Sequence, residues 1–301
     1  QVHTATPNLA SAGDPTPGAR GIIGGGGFNV PTTSYRDSIE YVNISSAGDS
    51  VDFGDLNVAR QYLSATASRT RGVFNGGQAS PGLEKTMEFV TIASTGNATD
   101  FGEDHADLKR NSAGCGNQTR GLFGSGYTPS PSFQPQNVIQ YVTISSTGNA
   151  NDFGDLVTRS AQRDAFSSPV RGVWCGGYYP GNAFGQIDFV NIASTGNAQD
   201  FGNLTITQIR VGGGSNATRG VYFGGQTTPG GSRTGDINYV TIATGGNAVY
   251  FGDLVTASEW PRMMSSSTRG IVAGGSPGPY IGTYVSMEQL NFSTQGNTVG
   301  F

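Results

Sequence analysis

The sequence has very few cysteines and histidines, and each shortage argues against a class of protein. Cys115 and Cys175 are the only cysteines among 301 residues. Two cysteines are too few for a disulfide framework, so we expect both to be buried free thiols. The only histidines, His3 and His105, occupy unrelated places in the chain, so neither a histidine-rich metal site nor a Ser-His-Asp triad has its components. We therefore expect no metal, no cofactor, no catalytic residues and no enzymatic activity.

Charge and long apolar runs are also scarce. Charged residues make up only 13% of the chain, the formal net charge is -4, and no basic run occurs. Nucleic acid and anionic membranes are therefore not expected as partners. No apolar stretch approaches the roughly 20 residues of a membrane-spanning helix, so membrane insertion is not expected either. Gln1 follows no initiator Met or signal peptide, which predicts a mature or excised piece of a longer protein.

What the sequence does contain is glycine and an internal repeat. The 48 glycines favour short strands joined by tight turns over helices. An apolar segment followed by a Ser-Thr-Gly-Asn-like turn and a Phe-Gly pair recurs along the whole chain. Its copies begin at Tyr41, Phe89, Tyr141, Phe189 and Tyr239, with a divergent sixth copy at Gln289.

A second marker, Arg-Gly followed by two apolar residues and a glycine cluster, gives the period independently. Its copies begin at Arg20, Arg71, Arg120, Arg171, Arg219 and Arg269, at intervals of 48 to 51 residues. A period near 50 with only strand-like segments is typical of propeller blades. We therefore predict an all-β, six-bladed β-propeller with four antiparallel strands per blade, formed by residues 1–301 as one domain. The approximate blades are 1–53, 54–101, 102–153, 154–201, 202–251 and 252–301.

Each period divides into four predicted strands, a to d. In the second repeat these are residues 62–67, 72–76, 87–94 and 98–101. Strand c has apolar residues on both faces, as a sheet between two neighbouring sheets requires, and the glycine of the turn supplies the positive φ of a c–d hairpin. We expect the glycine pair that ends strand b to be crowded near the central channel. Residues 1–19 should supply the link and strand a of blade 1, or alternatively residues 2–5 pair with the last blade.

The residues that recur in each repeat resemble those of kelch repeats. The similarity lies in the Gly-Gly that ends strand b, the aromatic residue of strand c, the Phe-Gly of strand d and an arginine in the link to the next blade. These link arginines are Arg60, Arg110, Arg159 and Arg210. The sequence around TRGVF and YVTIASTGNA also resembles repeats in virion structural proteins of marine bacteriophages, especially cyanophages. This resemblance implies a propeller in a tail fibre or a capsid-attached appendage.

Polar residues at repeated positions allow two interpretations. The six Arg-Gly arginines could bind an anion at one mouth of the channel, but a residue found in every blade is favoured as a structural one. Its predicted partners are the strand d carboxylates Asp52, Asp100, Asp152 and Asp200. The polar residues of the Phe-Gly-Asp turns could bind calcium, although capping of the link is favoured. These residues are Asp55, Glu103, Asp155, Asn203 and Asp253.

The repeats differ from one another mainly in the loops between strands b and c. These loops are residues 26–37, 78–86, 127–138, 178–187, 226–237 and 276–286, and they should lie on the same face as the links between blades. Aromatic side chains on such loops suit stacking on sugar rings, although the alternative is that they pack the loops against the blades. The candidate ligand-binding residues are Tyr35, Tyr127, Phe133, Tyr178, Tyr179, Phe184, Tyr280 and Tyr284, with Trp260 in a link. Trp174 is expected in the core.

These patterns predict a non-enzymatic propeller of a virion appendage. Its expected function is host recognition and adhesion through carbohydrate binding by the b–c loop face. The partners would be a host-surface glycan or other virion proteins, and the location would be the virion, outside the cell. One alternative is a secreted cellular lectin or adhesin, which glycans on Asn97 and Asn216 would indicate. The other is a purely structural assembly module of a virion.

Overall fold

The computed structural model describes residues 10–12, 20–28, 34–104, 109–129, 134–278 and 284–301. Within these ranges all regular elements are strands, and no helix occurs that is long and apolar enough to cross a lipid bilayer. Six four-stranded antiparallel sheets are arranged as a six-bladed β-propeller, which confirms the predicted fold class. Two short hairpins add to the sheets, and they consist of β3 (Gly27–Phe28) with β4 (Ser34–Tyr35) and β17 (Tyr178–Tyr179) with β18 (Asn182–Ala183).

Each blade is a continuous stretch of chain whose four strands follow one another in the order a, b, c, d. Blade 1 contains β1 (Ala10–Ala12), β2 (Arg20–Gly24), β5 (Ser38–Asn43) and β6 (Val51–Asp55). Blade 2 contains β7 (Ser64–Ala67), β8 (Arg71–Asn75), β9 (Thr86–Thr91) and β10 (Thr99–Glu103). Blade 3 contains β11 (Ala113–Gly116), β12 (Arg120–Gly124), β13 (Gln136–Thr143) and β14 (Asn151–Ser160).

The other three blades repeat this arrangement. Blade 4 contains β15 (Asp164–Ser167), β16 (Arg171–Cys175), β19 (Gln186–Asn191) and β20 (Gln199–Asn203). Blade 5 contains β21 (Gly212–Ser215), β22 (Arg219–Phe223), β23 (Asp236–Thr241) and β24 (Val249–Asp253). Blade 6 contains β25 (Glu259–Ser265), β26 (Arg269–Ser276), β27 (Glu288–Asn291) and β28 (Val299–Gly300).

The innermost strands, one from each blade, surround the central channel. Strand β1 pairs with β2 as strand a of blade 1, as predicted, and it lies beside both β7 of blade 2 and β25 of blade 6. The ring therefore closes by packing of the first blade against the last one, and each blade keeps only a short outer edge. The alternative that residues 2–5 pair with the last blade falls outside the described residues.

The hydrophobic core lies between neighbouring blades rather than inside any one sheet. Between blades 1 and 2, for example, Ile39 and Phe53 pack with Phe74 and Val90, and all four side chains are at most 3% exposed. A sheet that is covered on both faces needs apolar residues at successive positions, and this requirement explains the Phe-Val-Thr-Ile sequence of strand c.

The repeated c–d turn joins each blade to the blade before it. The N–H of Gly96 donates to the carbonyl of Phe53 (2.7 Å), and the side-chain Oδ1 of Asn97 accepts from the N–H of Asp55 (3.1 Å). A Cβ on Gly54 would lie 2.5 Å from the backbone of Gly96. The turn and the Phe-Gly pair thus depend on each other. Among the described residues the same close contact recurs at five interfaces between blades, at Gly54, Gly102, Gly154, Gly202 and Gly252.

The glycine pair that ends strand b is crowded, but not by residues of the channel. Gly76 and Gly77 have φ values of 62° and 105°. Gly77 donates to the carbonyl of Lys109 in the next link (2.9 Å), and a Cβ on it would lie 2.8 Å from the carbonyl of Gln61. The predicted crowding therefore comes from the links between blades, because strand a, not strand b, lines the channel.

The Arg-Gly arginines connect adjacent blades, but their predicted carboxylate partners are wrong. Arg171 lies over the ring of Phe189 (4.4 Å to its centroid) and donates to the carbonyl of Ile242 in the next blade (2.8 Å). The strand d aspartates are instead exposed. The other five arginines also bond to the c–d segment of the following blade, and Arg269 closes the ring at the carbonyl of Ser45 (3.3 Å).

The four link arginines occupy four different positions. Arg60 is fully buried and lies 3.5 Å from Glu88. Arg110 donates to Gln78, whereas Arg159 is exposed on β14. Arg210 pairs with Glu259 (2.8 Å). They are therefore not copies of one structural residue.

The predictions for three core residues are confirmed. Cys115 and Cys175 are buried and free, and burial raises the pKa of both thiols well above the ordinary range. Trp174 is completely buried and donates its indole N–H to the carbonyl of Ala113 (3.3 Å).

Candidate functional site

The b–c loops and the links between blades lie on one face, which we call the loop face. Backbone bridges join the two kinds of segment, as between Gln61 and Gln78, between Arg110 and Tyr127, and between Ala161 and Tyr178. The prediction that these variable loops share a face with the links is therefore confirmed.

On the loop face, the blade 4 loop forms a small hairpin. Tyr178 exchanges two backbone hydrogen bonds with Ala161 (3.0 and 2.7 Å), and its hydroxyl accepts from the N–H of Gly181 (3.1 Å). Its ring packs against Tyr127 of blade 3, with 6.2 Å between the centroids. These contacts hold the hairpin, so Tyr178 supports the site, while Tyr179 is presented at the tip with 51% of its surface exposed.

Below the hairpin lies a buried arginine. The guanidinium of Arg163 is 5.2 Å from the ring centroid of Phe184 and donates to the carbonyls of Trp174 (3.0 Å) and Gln186 (3.1 Å). Its Nη1 also donates to Oδ2 of Asp188 (2.6 Å). Because all these partners belong to blade 4, Arg163 fixes the loop to the sheet beneath it.

The hairpin borders an open cleft of about 500 Å³, which we call the blade 4 cleft. Three chain segments contribute to it: the end of β14, the b–c loop and strand d of blade 4. Its lining residues are Thr158, Tyr179, Asn182, Phe184, Gly185, Gln186, Asp200 and Asn203.

The lining combines two aromatic rings with several hydrogen-bonding groups. Thr158 donates to Oε1 of Gln186 (2.8 Å), which leaves the amide nitrogen of Gln186 as a donor for a ligand. Asn182, Asp200 and Asn203 are exposed polar side chains. Among the described residues of the lining, Asp200 is the only acidic one. General acid–base hydrolysis of glycosides uses a pair of carboxyl groups.

The remaining predicted ligand-binding residues lie elsewhere or outside the described part of the chain. Tyr35 belongs to the short hairpin of blade 1 and Tyr284 to the loop of blade 6, and both are partly buried. Tyr127 is 8% exposed, and burial raises the pKa of its hydroxyl. Phe133 and Tyr280 lie outside the described residues. The structure therefore brings together Tyr179 and Phe184 of the predicted set, with Tyr178 as support.

Trp260 lies at the mouth of the central channel rather than in a cleft. It is 8% exposed, packs against the ring of Tyr62 (5.7 Å between centroids) and has the guanidinium of Arg210 5.6 Å from its ring. Both aromatic residues have positive φ, as do Asn111, Gln162 and Arg210 at the same repeat position. Hydrogen bonds connect these five residues in order of blades. The backbone N–H of each residue from Asn111 to Trp260 donates to the backbone carbonyl of the equivalent residue in the blade before it.

Below these residues the channel is narrow and polar, with a cavity of about 50 Å³. Asp164 accepts from the N–H of Ala165 (2.9 Å) and of Gly213 (2.8 Å), and it faces Nη1 of Arg262 at 3.4 Å. Burial raises the pKa of the Asp164 carboxyl, and Arg262 and the two N–H donors oppose this effect. A cavity of this size suits ordered water better than a sugar.

Sequence reasoning missed most of the polar lining. Asp200 occupies the same repeat position as Asp100, and this repetition favours a structural role for both. Thr158, Gln186 and Asn203 come from segments that the sequence separates by up to 45 residues, and no single loop carries them. Among the described residues no group of three or more histidine, cysteine or acidic side chains could hold a metal ion.

Comparison with known proteins does not assign the chain to a family. The chain matches no family model, and no curated protein is significantly similar to it.

Proposed function

We propose that the protein is a non-enzymatic binding module that holds a carbohydrate in the blade 4 cleft. The observation that carries this proposal is the half-exposed ring of Tyr179 beside the amides of Asn182 and Gln186 and the carboxylate of Asp200. An aromatic ring stacks on the apolar face of a sugar, while amide and carboxylate groups bond to its hydroxyls.

The support beneath the cleft favours binding without a large rearrangement. The Tyr178 backbone is paired with Ala161, and Phe184 is held between the hairpin and Arg163. A ligand site on a rigid scaffold loses less conformational entropy on binding than a flexible loop does.

The virion location stays part of the proposal. A tail fibre or capsid-attached appendage would present the loop face to a host-surface glycan, and an extracellular location follows from that role. A secreted lectin or adhesin would use the same cleft, so the source of the chain does not alter the binding test.

A glycan array followed by calorimetry with the intact chain tests the proposal. We expect Tyr179→Ala to weaken binding by at least tenfold, because it removes the stacking surface. Tyr250→Ala is the matched control, since Tyr250 is 52% exposed on strand d of blade 5, outside the cleft. Equal loss in both variants, or no binding by the unaltered chain, would reject the carbohydrate site.

A second candidate function, assembly with another copy of the chain, is favoured by an asymmetry of strand d. The first residue of strand d is an exposed valine in the adjacent blades 5, 6 and 1, namely Val249, Val299 and Val51, whereas blades 2 to 4 have polar residues there. The second residue of strand d is an aspartate in blades 1 to 4 and Tyr250 in blade 5. Aspartates on two copies repel one another, so the uncharged edges are where copies would approach.

Sedimentation velocity at increasing protein concentration tests this assembly. A dimer that the double change Val249→Ser and Val299→Ser converts to monomer supports it. A monomer at all concentrations rejects it.

A further inference from the structure

We infer that the blade 4 cleft selects an uncharged pyranose over an acidic sugar with the same ring. This inference rests on the proposed carbohydrate-binding function. It concerns which ligand charge the cleft prefers. This preference depends on the charged and polar groups of the cleft and not on the stacking ring of Tyr179.

The first observation is the charge of the lining itself. Among the described residues that line it, Asp200 is the only charged one, and neither an arginine nor a lysine is present. Asp200 is exposed, and its carboxylate oxygens accept hydrogen bonds from hydroxyl groups. A sugar carboxylate in the cleft would meet this like charge without a compensating cation.

The second observation is that two nearby arginines, Arg163 and Arg159, do not line the cleft. Arg163 is fully buried beneath Phe184, and its charge is paired with Asp188 at 2.6 Å. Arg159 follows Thr158 on β14. Arg159 is exposed and does not belong to the lining of the cleft, although its neighbour Thr158 does. Among the described residues of the lining there is therefore no arginine that could bind an acidic sugar in a bidentate way.

The third observation is the set of neutral donors. The Oε1 atom of Gln186 is taken by Thr158 (2.8 Å), so its amide nitrogen is the group left to donate. Asn182 offers both a donor and an acceptor. With Asp200 as an acceptor, these groups match hydroxyls that donate and accept, the hydrogen-bonding pattern of a neutral pyranose.

Matched ligand pairs test the selection directly. Methyl glucoside and methyl glucuronide, and methyl galactoside and methyl galacturonide, differ at C6 by a hydroxymethyl or a carboxylate. Titration calorimetry with the intact chain at low ionic strength should give at least tenfold tighter binding of the neutral member of the preferred pair.

Charge removal separates an electrostatic role from a structural one. Asp200→Asn should weaken the neutral glycoside several-fold through the lost charge-assisted bond and should reduce the neutral-to-acidic preference toward unity. Asp100→Asn, at the same repeat position in blade 2, should change neither value.

The outcomes distinguish this inference from the proposed function. Equal or tighter binding of the uronide, with both ligands lost in Tyr179→Ala, would overturn the selection and leave carbohydrate binding in place. An unchanged preference in Asp200→Asn would overturn the assignment of this selection to the charge of Asp200. Absence of binding by every glycoside and by a glycan array would overturn the proposed function as well.

Discussion

Arg163 and Asp188 form a completely buried ion pair beneath the blade 4 cleft, with 2.6 Å between Nη1 and Oδ2. Removing one partner leaves an unpaired charge in the interior, which costs about 3–5 kcal/mol. We expect Asp188→Leu to lower the free energy of unfolding by about this amount in urea titrations. The double change Arg163→Met with Asp188→Leu should recover much of the loss.

The same variants report on the cleft. Arg163 supports Phe184, so the double variant should bind the glycoside more weakly even where its stability is close to that of the unaltered chain. Recovery of stability together with full ligand affinity would contradict the supporting role of Arg163.

Gly154 shows why the Phe-Gly pair cannot vary at the blade interfaces. Its φ is 144°, and a Cβ would lie 2.5 Å from the carbonyl oxygen of Gly196 in the next blade. Gly154→Ala should therefore destabilise the protein by about 3 kcal/mol in chemical denaturation. Gly82→Ala is the control, because open space surrounds Gly82 in the loop of blade 2, and a similar loss there would contradict the interface argument.

The sequence predicts the architecture because each blade repeats the same packing. The markers at Arg71 and Phe89 recur in every blade, so the period, the order of strands and the ring closure follow from counting residues. Partners across a blade interface are less predictable. The aspartate at position 100 is a chemically reasonable partner for Arg71, yet Arg71 reaches the carbonyl of Ile144 instead (3.2 Å). The sequence of one repeat does not show which atoms of the next blade lie within reach of its arginine.

The cleft was predicted only in part for a related reason. Tyr179 stands out as an aromatic residue on a variable loop, and that signal is local. Gln186 and Asp200 contribute through their place in the fold, and Asp200 has the same residue type as its copies in other blades. Strand c carries a buried polar residue in each blade, as at Glu88 and Asp188, and this repeated pattern indicates buried pairs such as Arg163 with Asp188 beneath the cleft.

The buried thiols give a test of the closed ring. Cys115 and Cys175 are 6% and 0% exposed, and burial raises their pKa, so neither forms the reactive thiolate in the native state. Iodoacetamide should label neither until denaturant unfolds the chain. Val170→Cys provides the positive control, since Val170 is 58% exposed, and rapid labelling of the unaltered chain would contradict the packing.

Arg171 tests how much each arginine contributes between blades. Arg171→Met removes the contact with the Phe189 ring and the bond to the Ile242 carbonyl. We expect a loss of about 1–2 kcal/mol in the free energy of unfolding. Arg159→Met is the matched control, because Arg159 is exposed on β14, and an equal loss there would show that charge, not the contact, is responsible.

Asp164 in the channel should make the protein more stable as the pH falls over a limited range. Burial raises its pKa in the folded state above the value of about 3.9 in the unfolded chain. Between these two values the folded state binds more protons, so this group's contribution to stability increases as pH decreases. Urea titrations from pH 7 to pH 4 should show the unaltered chain gaining stability relative to Asp164→Asn, which cannot titrate. A constant difference between the two proteins across that range would show that the pKa of Asp164 is the same folded and unfolded. A loss of stability by the unaltered chain relative to Asp164→Asn as the pH falls would mean that pairing with Arg262 outweighs burial.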